Sequence, residues 1–259
     1  MLQALTLAWP KYYAHFQLHL SVATIVDAKA PIGGGRLGDF TVGIYFSDSI
    51  NDQWSKYFEK STGWKPHSST AGYIAEHYAA FEDPIQAYVN DMVVHELGHL
   101  LFGFGITQIK LPKDPAQSDH TNAEMYRAAW FALGLGLVYD RLIWSELGHH
   151  TSPMFDSTIS VWREKFSHRK DLDQRLVNPD LSNDEKAGVP RLQIYGHGKA
   201  FVYLQALRTE IGAPQFDQTV VRYLARPIGS PILYDDFLST LPVEMKPKIE
   251  AVEARFSVR

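Results

Sequence analysis

The stretch VVHELGHLLFGFG, residues 93–105, constrains this chain more than any other. In a helix, side chains four apart share one face, so His95 and His99 present two ring nitrogens to one point. Val93, Val94, Leu100 and Leu101 flank them and require burial of that helix. A fold containing it must pack other elements around two imidazoles, and Gly98 leaves room for a close neighbour. Two readings stay open: ligands of one metal ion, or buried histidines hydrogen-bonded to backbone.

The first reading has a chemistry attached. Imidazoles suit Zn2+, which also needs a third protein donor and an open coordination position. Glu96 is placed to take a proton from water there, the H-E-x-x-H arrangement of zinc peptidases. With no cysteine in the chain, thiolate ligation, thiol nucleophiles and disulfides are excluded, so any donors are His, Asp or Glu. A net charge of −4 argues against nucleic-acid partners, since no cationic surplus exists to neutralise phosphates. No apolar run approaches the roughly 18 residues of a membrane span. The start, MLQALTLAWPKYYAHF, lacks a basic segment followed by a long apolar block; no signal peptide is expected, which favours the cytoplasm. Oligomeric state is not readable.

Alternation of apolar and polar residues at Phe16, Leu18, Leu20 and Val22, and again at Phe40, Val42, Ile44 and Phe46, predicts strands in the first fifty residues. APIGGGRLG, 30–38, reads as the turn between them. Asp83 and Pro84 are an N-cap and a first-turn proline for a helix that Gly103 and Gly105 end. A second helix is expected from Thr121 to Gly148, broken or tightly packed near Gly134 and Gly136. Residues 170–190 read as loop, and helices are expected over 198–211, 214–225, 234–241 and 247–255. Strands first and helices after is the α+β arrangement: a small, mostly antiparallel N-terminal sheet packed on a mainly helical C-terminal half. The 259 residues divide on this reading into 1–105, ending in the HELGH helix, and a helical 106–259.

Several blocks together resemble the gluzincins, the thermolysin-like zinc peptidases, and within them the aminopeptidase N and glycyl aminopeptidase families. HELGH, YGHGKAFVYLQALRTEIG (195–212) and QFDQTVVRYLARPIGSPILYDDFLSTL (215–241) carry the likeness, which spans roughly residues 85–245. It implies a thermolysin-like zincin fold and a zinc hydrolase with His95 and His99 as ligands and Glu96 as general base. Tyr195 matches the family tyrosine that donates to the oxyanion, although a tyrosine starting a helix is an equal reading. His197 stands where the family has lysine and is a second oxyanion candidate. GGGRLGDFT (33–41) matches the family's substrate-binding strand, which makes Gly34, Gly35 and Arg36 substrate-binding candidates. The strand has no amine-holding glutamate, and Arg36 suits an anionic group.

The third ligand departs from the family. In AWFALGL the position of the ligand glutamate holds Leu133, which cannot bind zinc. Glu124 is the nearest alternative, though T-N-A-E is also a capping box from Thr121 to Glu124; His120, Asp119 and His197 are reserves. The resemblance thus implies Zn2+ as cofactor and a peptide as substrate, with a small molecule, or a non-catalytic role in binding a partner, as the alternatives.

Overall fold

The computed structural model describes residues 2–16, 35–38, 41–44, 70–103, 107–109 and 122–259. These form a mainly helical body, which corrects the expected sheet-plus-helix division. Among the described residues no sheet has more than two strands. One is a hairpin of β1 (Gly35–Gly38) and β2 (Thr41–Ile44), with Gly35 opposite Ile44 and Gly38 opposite Thr41. The other is a two-residue parallel pair, β3 (Thr107–Gln108) with β4 (Ser230–Pro231).

The correction begins at the N-terminus, where Leu2–Phe16 is a helix, α1. Its buried residues are Ala4, Leu5, Ala8, Tyr12 and Phe16, a spacing of mostly four that fits one helical face. Phe16, read as the first residue of a strand, instead closes this face against Phe102 and Tyr139. The rest of that strand lies outside the described residues. The segment read as a turn contains β1, while Val42 and Ile44 lie in β2 as the alternation predicts.

Helix α2 (Thr70–His77) precedes α3 (Pro84–Leu101), which carries the HELGH segment. The Asp83 carboxylate caps α3 by accepting from the Gln86 N–H at 3.0 Å. At the other end Gly103, at φ +121°, turns the chain. Thr107 fastens that turn, donating from Oγ1 to the Leu101 carbonyl and accepting from the Gly103 N–H.

Helix α4 (Asn122–Glu146) is unbroken and crosses α3 antiparallel. Asp140 of α4 meets His95, Gly136 meets Gly98, and Ala132 meets Gly103. A Cβ on Gly98 would stand 3.2 Å from the Gly136 carbonyl oxygen and 3.2 Å from the Tyr12 hydroxyl, so only glycine lets the two backbones approach this closely. Trp130, Phe131, Tyr139 and Trp144 are buried, as expected of core residues.

Helix α5 (Pro153–Val161) runs on into a π-helical turn, Trp162–Phe166. Residues 171–191 are mostly irregular with one short helix, α6 (Asp184–Ala187). A π-helical segment, Leu192–Lys199, then leads into α7 (Ala200–Ile211). It is followed by α8 (Ala213–Leu224), α9 (Tyr234–Ser239) and α10 (Lys246–Phe256). One hydrophobic core joins α1, α3 and α4 to α7, α8 and α10, so described residues from 1–105 and 106–259 share it. No helix among the described residues is long and apolar enough to cross a membrane.

Candidate metal centre

His95 and His99 lie one turn apart on α3, their ring centroids 4.2 Å apart and nearly perpendicular at 79°. A third imidazole, His197 of the π-helical segment, lies 5.8 Å from His95 and 6.1 Å from His99, centroid to centroid. Each of the three offers one ring nitrogen, and these lie within 4.8 Å of one another. Zn–N bonds of about 2.0–2.1 Å in a tetrahedron set ligand nitrogens about 3.4 Å apart. Shifts of the order of an ångström therefore close the set on one ion, and the donor chemistry fits zinc.

His197 arrives there because its two neighbours have no side chains. Gly196 faces α4, where a Cβ would stand 3.1 Å from Leu133 Cδ1. Gly198 faces the end of α5, where a Cβ would stand 3.0 Å from Trp162 Cβ and 3.3 Å from the Thr158 carbonyl oxygen. The Gly-His-Gly run thus wedges between two helices with the imidazole directed at α3. π-Helical turns are rare and concentrate at functional sites, which fits this placement.

Asp140 is the residue that motif reading passes over. It is fully buried, and its Oδ2 meets His95 Nδ1 at 2.9 Å. That bond orients the ring and leaves Nε2 for an ion, the usual carboxylate–histidine support of a metal site. A lone acid within the apolar run LGLVYDRLIW, seven residues after Leu133, is the signal that marks it. Below it Asp91, one turn before His95, accepts from Tyr78 Oη at 2.7 Å and from Ser152 Oγ at 2.9 Å. Burial, reinforced by the Asp140 charge, raises the Asp91 carboxyl to about 7. Burial also pushes Asp140 well above the usual carboxylate range, with Arg141 opposing the shift. We expect Asp140→Asn, which keeps the shape and removes the carboxylate that His95 Nδ1 meets, to weaken zinc binding about 10–100-fold. Competition against a chromophoric chelator measures this, and unchanged affinity would remove Asp140 from the site.

Burial holds all three imidazoles neutral, the form that binds metal. It lowers the His95 pKa, with Glu96 and Asp91 opposing. It lowers His99 well below the ordinary value, helped by its two imidazole neighbours. It lowers His197 to about 3, with His95 adding to the effect. The sign for stability follows. As pH falls below about 6.5 the unfolded chain protonates His197 while the folded chain does not, so this residue costs stability progressively down to its folded pKa. In chelator, wild type should therefore lose about 3 kcal/mol more than His197→Gln between pH 6.5 and 4, read by urea denaturation at each pH. Parallel losses in the two proteins would contradict a buried neutral His197.

Glu96, 5% exposed, follows His95 on α3 and contributes negative charge beside it. The structure thus brings His95, Glu96, His99 and His197 together. Tyr195 lies two residues before His197 on the same helical segment and points to another side. Its ring sits 4.1 Å beneath the Arg191 guanidinium and its hydroxyl accepts from Gln174 Nε2 at 2.9 Å. Burial raises its pKa. Arg191 in turn grips the Asp184 carboxylate and the Asp173 carbonyl, so these groups stitch 171–191 to the body.

Glu124 falls in the first turn of α4, with its side chain outside the described residues. It precedes Asp140 by sixteen residues, about 24 Å of helix at 1.5 Å each. The donor that reaches His95 and His99 is His197 instead. Gly35 and Arg36 belong to β1, which packs with β2 against α3. Gly34, Asp119, His120 and Thr121 lie outside the described residues. No family model, no curated protein and no solved structure matches the chain.

Proposed function

We propose that the chain is a zinc-dependent hydrolase, a peptidase of the H-E-x-x-H type whose ion is held by His95, His99 and His197 rather than by the two histidines and glutamate of the gluzincins. The observation that carries this reading is the convergence of three buried, neutral imidazoles beside the carboxylate of Glu96. A divalent ion seated there supplies Lewis acidity toward a carbonyl oxygen and a water of lowered pKa in its open position.

The chain's own residues divide the remaining work. Glu96 accepts the proton of the attacking water and returns it to the leaving group. Asp140 fixes the His95 ring, and the Gly-His-Gly run presents His197. The hairpin of β1 and β2 against α3 offers extended backbone to which a peptide adds as a further strand, the usual way peptides use strand edges. The Tyr195 hydroxyl, held by Gln174, is not assigned to the reaction.

Zinc-loaded protein should cleave members of an internally quenched peptide library, and 1,10-phenanthroline should stop it. Full zinc occupancy with no cleavage of any peptide would refute the peptidase assignment. Turnover of small-molecule esters or epoxides by the same preparation would then identify the substrate class.

A further inference from the structure

The metal reading leaves one aromatic ring unexplained. Phe155, in the first turn of α5, is 5% exposed and lies against two of the three imidazoles. Its centroid is 4.1 Å from His95 with a 32° tilt and 5.6 Å from His197, where the rings stack at 18°. His95 and His197 come from different elements, α3 and the π-helical segment, and the Phe155 ring touches both. A separate small cluster with Leu137 of α4 and Ile159 of α5 holds Phe155 in turn. The start of α5 is pinned to its neighbours: Ser152 Oγ donates to Asp91 of α3, and Arg141 of α4 pairs with Asp156 at 2.6 Å.

We propose that Phe155 is a positioning residue, a flat spacer that sets the angle between the His95 and His197 rings and so preorganises the metal centre. This rests on the three-histidine reading above. A His95 ring held by Asp140 at Nδ1 is fixed at one atom but still able to tilt about that bond. A ring face packed against it removes the tilt. His197 meets the same ring from the next element, so one aromatic side chain fixes both ligands relative to each other. Fixed ligands bind an ion without first losing side-chain freedom, and supports of this outer kind commonly change metal affinity about 10–100-fold.

The test compares Phe155→Leu, which stays apolar and branched but is smaller and loses the flat face, with Phe155→Tyr, which keeps it. Zinc affinity is measured by chelator competition, the Co2+-loaded proteins by visible absorption, and the metal-free proteins by urea denaturation. Phe155→Leu should bind zinc at least about tenfold more weakly and give an altered Co2+ band shape. Phe155→Tyr should stay within about threefold of wild type with the wild-type band, the conservative ring rescuing what leucine loses. Wild-type affinity and spectrum in Phe155→Leu overturn the proposal. So does an affinity loss in Phe155→Leu matched by Phe155→Tyr, or one explained by an equal loss of metal-free stability. Absence of zinc from wild type would instead overturn the metal reading itself, which keeps the two failures apart.

Discussion

Glu96→Gln should keep one zinc ion per chain and lose hydrolysis by roughly 10²–10⁴-fold, the range that a positioned general base contributes. Glutamine fills the volume of glutamate and retains a carbonyl oxygen for hydrogen bonding, but it cannot accept a proton at neutral pH. Glu96 is 5% exposed on a helix whose core face is set by Val93, Val94, Leu97 and Leu101, so the substitution leaves that packing alone. The three imidazoles are untouched, so metal content by mass spectrometry should match wild type. Chemistry and binding therefore separate in this one variant. Turnover within about threefold of wild type would end the general-base assignment, because no positioned base contributes so little.

How much of this was legible in the sequence follows from where each signal resides. The HELGH helix was readable in full, because N-cap, first-turn proline, apolar face and terminal glycine are all local and agree. That His95 and His99 share one helical face was readable for the same reason, since a spacing of four residues fixes it. The reading of the first fifty residues as strands fails at residues 2–16, which satisfy a helical period that buries Ala4, Leu5, Ala8 and Tyr12 in the core. Asp140, Phe155 and the choice of His197 among the reserve donors were not legible because they are tertiary facts. Asp140 reaches His95 across 45 positions, and His197 arrives only through two glycines that let a π-helical segment sink between α4 and α5. Glu124 was attractive because it opens a helix after the motif. A long, unbroken α4 carries it away from the site, and continuity of that helix is a packing outcome that Gly134 and Gly136 did not disclose locally.

His197→Ala should lower zinc affinity by about 10² or more, and adding Leu133→Glu to that variant should restore much of it. A zinc site with protein ligands is worth on the order of 10–16 kcal/mol, so one ligand of a small set accounts for a few kcal/mol, or two to three orders of magnitude at about 1.4 kcal/mol per decade. The rescue follows from the register of α3 and α4. Gly136 meets Gly98 and Ala132 meets Gly103, so Leu133 stands level with the stretch of α3 just past His99. Its Cδ1 reaches within 3.1 Å of where a Gly196 side chain would begin, next to His197 itself. Leu133 thus packs beside the residue that precedes His197, and the double variant tests whether a carboxylate at 133 reaches the point from which the imidazole nitrogen was removed. The single Leu133→Glu variant is the control, because a buried unpaired carboxylate should destabilise it in chelator and zinc should recover the loss. Full zinc affinity in His197→Ala would place the third donor elsewhere in the chain. Loss in His197→Ala without any recovery in the double variant would keep His197 as a ligand but separate position 133 from the coordination point.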